Sequence, residues 1–176
     1  MATSEKQVMV VGIDDSEHST YALEWTLDHF FTPSLGSNSL FKLVVVYAKP
    51  SASSAVGLAG PGAAEILPFV ESDLKKIAAR VLAKAEEICT NKSVSDVIFE
   101  VVEGDARNVL CEAVDKHHAS ILVVGSHDIQ FKPLKGSREA QPQLLYTLAV
   151  IGSVSDYCAH HAHCTVMIVK RPKIKH

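Results

Sequence analysis

Val8-Met9-Val10-Val11-Gly12-Ile13-Asp14-Asp15-Ser16 runs from an apolar strand into a polar turn. Behind it, Glu17 to Phe31 has helical spacing: Ala22, Leu23, Thr26, Leu27 and Phe30 recur on one face, with Trp25 at its margin. Strand, turn and helix in that order deliver Asp14, Asp15 and Ser16 to the C-terminal edge of a parallel sheet. Open α/β sheets bind ligands at that edge, because helix N-termini with unpaired N–H groups converge there. A later strand, Ile121-Leu122-Val123-Val124, ends the same way in Gly125-Ser126-His127-Asp128. Two such strand ends side by side would wall a crevice of nucleotide size.

The rest of the chain continues the alternation. Pro33, Gly36 and Asn38 end the first helix, and Leu40 to Tyr47 is a second strand, nearly continuous in apolar residues as a strand covered on both faces should be. Ala48 to Ala64 is rich in Gly, Pro and Ser, which predicts an irregular loop over about 48–67. From Pro68 to Cys89 the helical period returns through Val70, Leu74, Ile77, Val81, Ala85 and Ile88. Val94 to Val102 reads as a third strand. Asp105 can cap a helix over Ala106 to Lys116, with Val109, Leu110, Ala113 and Val114 facing inward. After the fourth strand a second irregular stretch, 128–147, precedes a short helix from Ser153 and a fifth strand, Thr165 to Val169. This pattern predicts one α/β domain over residues 1–176, a three-layer doubly wound parallel sheet of five strands.

Composition narrows the partners. A formal charge of −3 on 176 residues lacks the positive field of a nucleic-acid or membrane-surface binder. The basic tail from Lys170 to His176 reads as a solvated terminus. Met1 to Gln7 is polar and no long apolar stretch follows, so neither secretion nor membrane spanning is expected. Cys89, Cys111, Cys158 and Cys164 lack zinc-like spacing and suggest reduced thiols inside the cell. The expected compartment is the cytoplasm, with the nucleus also open to a chain of this size.

Chemistry-bearing residues gather at the strand ends. The Asp14 carboxylate can accept hydrogen bonds from a ribose hydroxyl or an adenine amino group, and Ser16 can cap the first helix. Gly152 lets the backbone approach a phosphate, while Ser153, Ser155 and the N–H groups of the last helix can donate to it. Stronger phosphate motifs are missing: there is no Gly-rich stretch ending in Gly-Lys-Ser/Thr, no Gly-x-Gly-x-x-Gly after the first strand and no Gly-x-Ser-x-Gly elbow. The run Cys158-Ala159-His160-His161-Ala162-His163-Cys164 invites a metal reading, but Val154 and Tyr157 share its face, and packing is the expectation. His127 is a candidate acid–base group. With no orienting partner evident, no catalytic residue and no metal ligand are assigned.

Taken in order, Val-Gly-Ile-Asp-Asp-Ser, Glu103-Gly104-Asp105-Ala106, Leu122-Val-Val-Gly-Ser-His127, Gly152-Ser-Val-Ser155 and Cys164-Thr-Val-Met-Ile-Val169 resemble the universal stress protein family, in particular its small single-domain plant members. The resemblance covers the chain except about Asp128 to Thr147. It implies the strand order 3-2-1-4-5 of the adenine nucleotide alpha hydrolase-like fold and a homodimer through strand 165–169. In one branch of the family it implies an adenine nucleotide, ATP or AMP, with Mg as an optional companion. Asp14 then matches the acid near base and ribose, Val46 a position lining the adenine pocket, and Gly125, Gly152, Ser153 and Ser155 the phosphate-binding residues.

One departure is large. Three residues after Gly125 the nucleotide-binding branch has glycine, and here stands Asp128. The family's next glycine comes much sooner than Gly152, so Ile129 to Pro142 reads as an insertion of roughly fourteen residues in the phosphate loop. Asp128 brings negative charge towards phosphates and weakens binding, while Lys132, Lys135 and Arg138 could offset it. The expected function is therefore a stress-response protein that binds an adenine nucleotide and hydrolyses it slowly or not at all. The alternatives are a nucleotide-free dimeric interaction or chaperone-like module and, more remotely, a hydrolase using His127.

Overall fold

A computed structural model describes residues 6–31, 39–56, 62–126 and 154–172. Its elements are β1 (Gln7–Ile13), α1 (Glu17–Phe30), β2 (Phe41–Lys49), α2 (Ala52–Val56), α3 (Ala63–Asn91), β3 (Val97–Glu103), α4 (Ala106–His117), β4 (Ala119–Gly125), α5 (Val154–His161) and β5 (Thr165–Val169). The strands form one sheet in the order β3-β2-β1-β4-β5, every neighbouring pair parallel. β1 is central, with Val10 opposite Val44 on one side and Leu122 on the other. The chain order therefore reverses direction between β1 and β4, and a crevice opens above that point.

Alternation along the strands sorts the core into two layers. Met9, Val11, Leu43, Val45, Tyr47 and Val123 lie under α1 and α3, whose Leu23, Leu27, Val81 and Ala85 cover them. Val10, Val44, Val46, Leu122 and Val124 lie under α4 and α5, with Val109, Leu110, Ala113 and Cys158 above. Burial of both faces is why the strands read as unbroken apolar runs. Each fully enclosed Val or Leu contributes about 1.5–3 kcal/mol of transfer free energy.

Two sequence expectations need correction. The stretch 48–67 is not wholly irregular: β2 runs on to Lys49, Ala52–Val56 is helical, and α3 begins at Ala63 rather than at Pro68. Pro68 lies in the second turn, where it forfeits a single N–H to the carbonyl four residues earlier. Good helix formers such as Ala64, Glu65 and Leu67 precede it. The third strand begins at Val97 rather than Val94. Val94 N–H instead donates to Cys89 O at 2.9 Å, closing the turn after α3 in which Ser93 takes φ 60°.

Lys49 closes the top of β2. Its ammonium is buried and lies 2.9 Å from Glu71 Oε1 on α3 and 2.7 Å from Glu103 Oε2 at the end of β3. Hydrogen bonds to Glu103, then to Glu71, raise the Lys49 pKa, and the Lys49 hydrogen bond holds the Glu71 carboxyl below its usual range.

Candidate functional site

The β1–α1 junction is held by its own polar groups. Ser16 caps α1, its hydroxyl accepting Ser19 N–H at 3.2 Å. Ser19 Oγ in turn accepts Asp14 N–H at 3.0 Å and lies 3.0 Å from Asp14 O, as donor to that carbonyl. The Asp14 carboxylate accepts Ser16 N–H at 2.9 Å. Asp15 pairs with Arg80 of α3 at 2.5 Å. The Tyr47 phenol stands in this field. Burial, then the charges of Asp15 and Asp14, push its pKa up, so it stays protonated.

Above the β1–β4 boundary lies an open cleft. Gly12, Asp14, Ser16, His18 and Ser19 come from β1 and the start of α1; Ala48 comes from β2, and Val124 and Gly125 from β4. Ala106 and Leu110 of α4 and Val154 of α5 close it. The two glycines have different reasons. A Cβ on Gly12 would come 2.8 Å from Leu110 Cδ1, so glycine lets α4 sit close on β1. A Cβ on Gly125 would come 2.7 Å from the carbonyl carbon and oxygen of His18, so glycine lets the first turn of α1 rest on the end of β4.

Three helix N-termini meet here: α1 through Ser16 to Ser19, α4 through Ala106 and α5 through Val154. Each brings partial positive charge and N–H groups not used within its helix. Asp105 caps α4, accepting Arg107 N–H at 2.9 Å, and Arg107 Nε and Nη2 each lie 2.9 Å from its carboxylate. Those side-chain hydrogen bonds, outweighing desolvation, hold the Asp105 carboxyl below its usual range. The Arg107 guanidinium also lies 5.7 Å from the centre of the Tyr157 ring on α5.

Asp14 and Gly125, both expected at the site, meet in the cleft. Ser155 is buried in the first turn of α5. Val46 is fully enclosed in the core layer under α4, and the β2 residue that reaches the cleft wall is Ala48, two positions on and on the same face. Gly152, Ser153, His127, Asp128 and the stretch Ile129 to Pro142 lie outside the described residues. Sequence reasoning missed His18, Ala106 and Leu110. The signal for Ala106 was present, since it directly follows the capping Asp105.

The cysteines of the cysteine–histidine run pack, whereas His160, His161 and His163 are exposed, so the expectation of packing fails for the histidines. Cys158 is fully buried, with Cys111 and Cys164 against the same cluster, and burial pushes its thiol up to about 12. His160 and His161 place Nδ1 at 2.8 and 2.9 Å from carbonyls of their own helix, and His163 Nδ1 lies 3.1 Å from Asp115. Among the described residues no group of three or more His, Cys, Asp or Glu could hold a metal. No helix among them is long and apolar enough to cross a membrane.

A sheet ordered 3-2-1-4-5 with a capped Asp-Asp-Ser turn facing a glycine-ended β4 agrees with the family comparison: the universal stress protein family model matches residues 6–170. The chain belongs to the universal stress protein family. Two relatives from Arabidopsis thaliana, universal stress proteins PHOS32 and PHOS34, are each 26% identical to it over 92% of this chain. The alignments take in 64% and 61% of those proteins, so this universal stress protein chain spans somewhat under two thirds of the length of the relatives it matches. Among solved structures, an Arabidopsis thaliana universal stress protein family protein with AMP bound superposes with a TM-score of 0.61. Identity is 23%, covering 94% of this chain and 92% of that one. A universal stress protein in complex with cAMP gives 0.58 at 21% identity, covering 94% and 97%. At these identities the likeness shows the shared fold.

Proposed function

We propose that this universal stress protein domain binds an adenine nucleotide, AMP or ATP, in the cleft above β1 and β4. The observation that carries the reading is the meeting of three helix N-termini with the Asp14 carboxylate in one cleft. The helix ends favour phosphate, and the carboxylate favours the hydroxyl or amino donors of a nucleoside. The two solved relatives with AMP and cAMP give the choice of base its support. In this reading Asp14 holds the nucleoside over a floor built on Val46 and Ala48. Gly125, Gly152, Ser153 and Ser155 serve the phosphates, with Mg accompanying ATP. Little chemistry is expected, because Asp14 already accepts the Ser16 N–H and His127 has no assigned orienting partner. The role is sensing or storing the ligand in the cytoplasm, the nucleus being a second compartment.

β5 is an edge strand, paired on one side to β4, and its Ile168 is exposed. An apolar edge invites pairing, and we include in the proposal a homodimer through Thr165–Val169. Asp128 and the stretch Ile129–Pro142 favour the second reading, a nucleotide-free interaction module, because a carboxylate there repels phosphates. Calorimetry with ATP and AMP separates the two when run on the full chain and on a form lacking Ile129–Pro142 with Asp128→Gly. Tighter ATP binding by the shortened form, with weak but measurable binding by the full chain, supports the nucleotide reading. Absence of binding in both would hand the function to the interaction module.

A further inference from the structure

We infer that Cys111 and Cys158 are an oxidant-responsive pair, converted by hydrogen peroxide into a disulfide that ties α5 to α4. Neither residue belongs to the proposed nucleotide site, so the inference stands apart from that reading. Cys111 lies in the middle of α4 and Cys158 in the middle of α5. Both belong to the same apolar cluster, Cys158 fully buried and Cys111 half-buried at its margin. The two helices pack together, and the contacts beside the thiols set their register. Tyr157 Oη lies 3.4 Å from Asn108 Oδ1, and the Arg107 guanidinium stands over the same Tyr157 ring. Cys111 comes one turn after Asn108 and Cys158 directly after Tyr157, and there the two thiols hydrogen-bond to each other. A third thiol, Cys164, is half-buried against the same cluster, but it donates to the Thr165 carbonyl at 3.5 Å.

The two sulfurs differ in a way that orders the reaction. Cys111 is the one that solvent reaches, and its hydrogen bond with Cys158 favours the thiolate against the burial that raises its pKa. Burial holds Cys158 protonated, its thiol pushed up to about 12. The thiolate is the nucleophile, so Cys111 attacks first. Its sulfur bonds to one peroxide oxygen, the O–O bond breaks, and the departing hydroxide takes up a proton as water. The Cys158 sulfur then attacks the sulfur of the resulting sulfenic acid. An S–S bond forms, the S–O bond breaks, and hydroxide leaves as water with the Cys158 proton. Two thiols are thereby oxidised to one disulfide, and one peroxide is reduced to two waters.

Scarcity of thiolate makes the first step slow, whereas the second is fast because the partner sulfur is already in place. The dithiol is therefore the resting state, and the pair answers sustained oxidant rather than a trace. The product joins the helix that brings Leu110 to the cleft to the helix that brings Val154, so oxidation fixes two of its walls to each other.

The test is peptide mapping by mass spectrometry, without reductant, after the reduced full chain has stood in an excess of hydrogen peroxide. The Cys111 and Cys158 peptides should appear linked, at a rate independent of protein concentration, and Cys89 in the other core layer should stay reduced. The link should persist in Cys164→Ser and vanish in Cys111→Ser. Oxidation should raise the melting midpoint by about 5–10 °C, because the bridge restrains the unfolded chain. Dithiothreitol should reverse the rise, and Cys111→Ser should show none. A bridge from Cys164 as the main product, a link between two chains, or sulfinic acid at Cys111 with no bridge would each overturn the inference. The map of the unaltered chain decides it even where a variant fails to fold.

Discussion

Replacing Gly125 by alanine tests how tightly the cleft is built. The new Cβ would stand 2.7 Å from His18 C and O and 2.9 Å from Ser19 N, where ordinary contact begins near 3.4 Å. All three are backbone atoms of one helix turn, so no side-chain rotation relieves them and α1 must shift by about 0.7 Å from β4. That helix buries Ala22, Leu23, Thr26 and Leu27 in the core, and moving it disturbs their packing. Overpacking of this kind costs about 2 kcal/mol, which in a chain of this size lowers the melting midpoint by about 4–8 °C. Gly12→Ala is the internal comparison. Its Cβ meets only the tips of the Leu110 side chain, at 2.8 and 3.0 Å, which can turn aside, so its cost should be about 1 kcal/mol. Denaturation followed by circular dichroism measures both. A Gly125→Ala midpoint within about 1 °C of the unaltered chain, or above that of Gly12→Ala, would refute the argument that glycine is required for the β4–α1 contact.

Other consequences concern charge, thiols and assembly. Because Lys49 keeps Glu71 ionised below its usual range, their pairing stabilises the fold above about pH 5 and is lost as pH falls through the folded-state value. Lys49→Met should therefore lower stability at pH 7 yet give a shallower loss from pH 6 to 3; acid limbs of equal slope would contradict this. Burial pushes the Cys89 thiol to about 11 and that of Cys158 to about 12, so both should resist alkylation at pH 7.5 until the chain unfolds, while Cys111 and Cys164 react first. Mass spectrometry of labelled peptides decides it, and rapid native labelling of Cys158 would count against the packing described. If β5 is the dimer edge, Ile168→Asp should convert a dimer into a monomer in sedimentation experiments at tens of micromolar; an unaltered dimer would place the interface elsewhere.

The strand runs themselves carried most of the architecture. Val8 to Ile13, Leu40 to Tyr47 and Ile121 to Val124 are apolar on both faces, and a strand so composed is stable only between two helical layers. The helical period of Ala22 to Phe30 and of Val109 to Val114 names the faces that supply those layers. Local capping chemistry was equally legible: Ser16 and Asp105 both cap the helices they precede. The start of α3 was not, because a proline is compatible with a helix start and with a second turn alike, and only what the preceding residues do decides between them. Strand order likewise is not written in alternation; it entered through the resemblance of the ordered motifs.

What the sequence alone determined are properties set by neighbours within a few positions: which residues alternate, which cap, which turn. Tertiary structure decided whatever depends on surfaces distant in the chain coming together. Lys49 looks like the first polar residue after a strand, and becomes a buried cation only because Glu71 and Glu103 arrive beside it. Asp15 looks equivalent to Asp14, and differs from it because Arg80, 65 positions away, arrives to pair with it. His18 looks like one more residue of an amphipathic helix, and its backbone rests on the end of β4 because position 125 is glycine. Charge pairing and close backbone contact act through space, and until the chain has folded no local pattern carries their geometry.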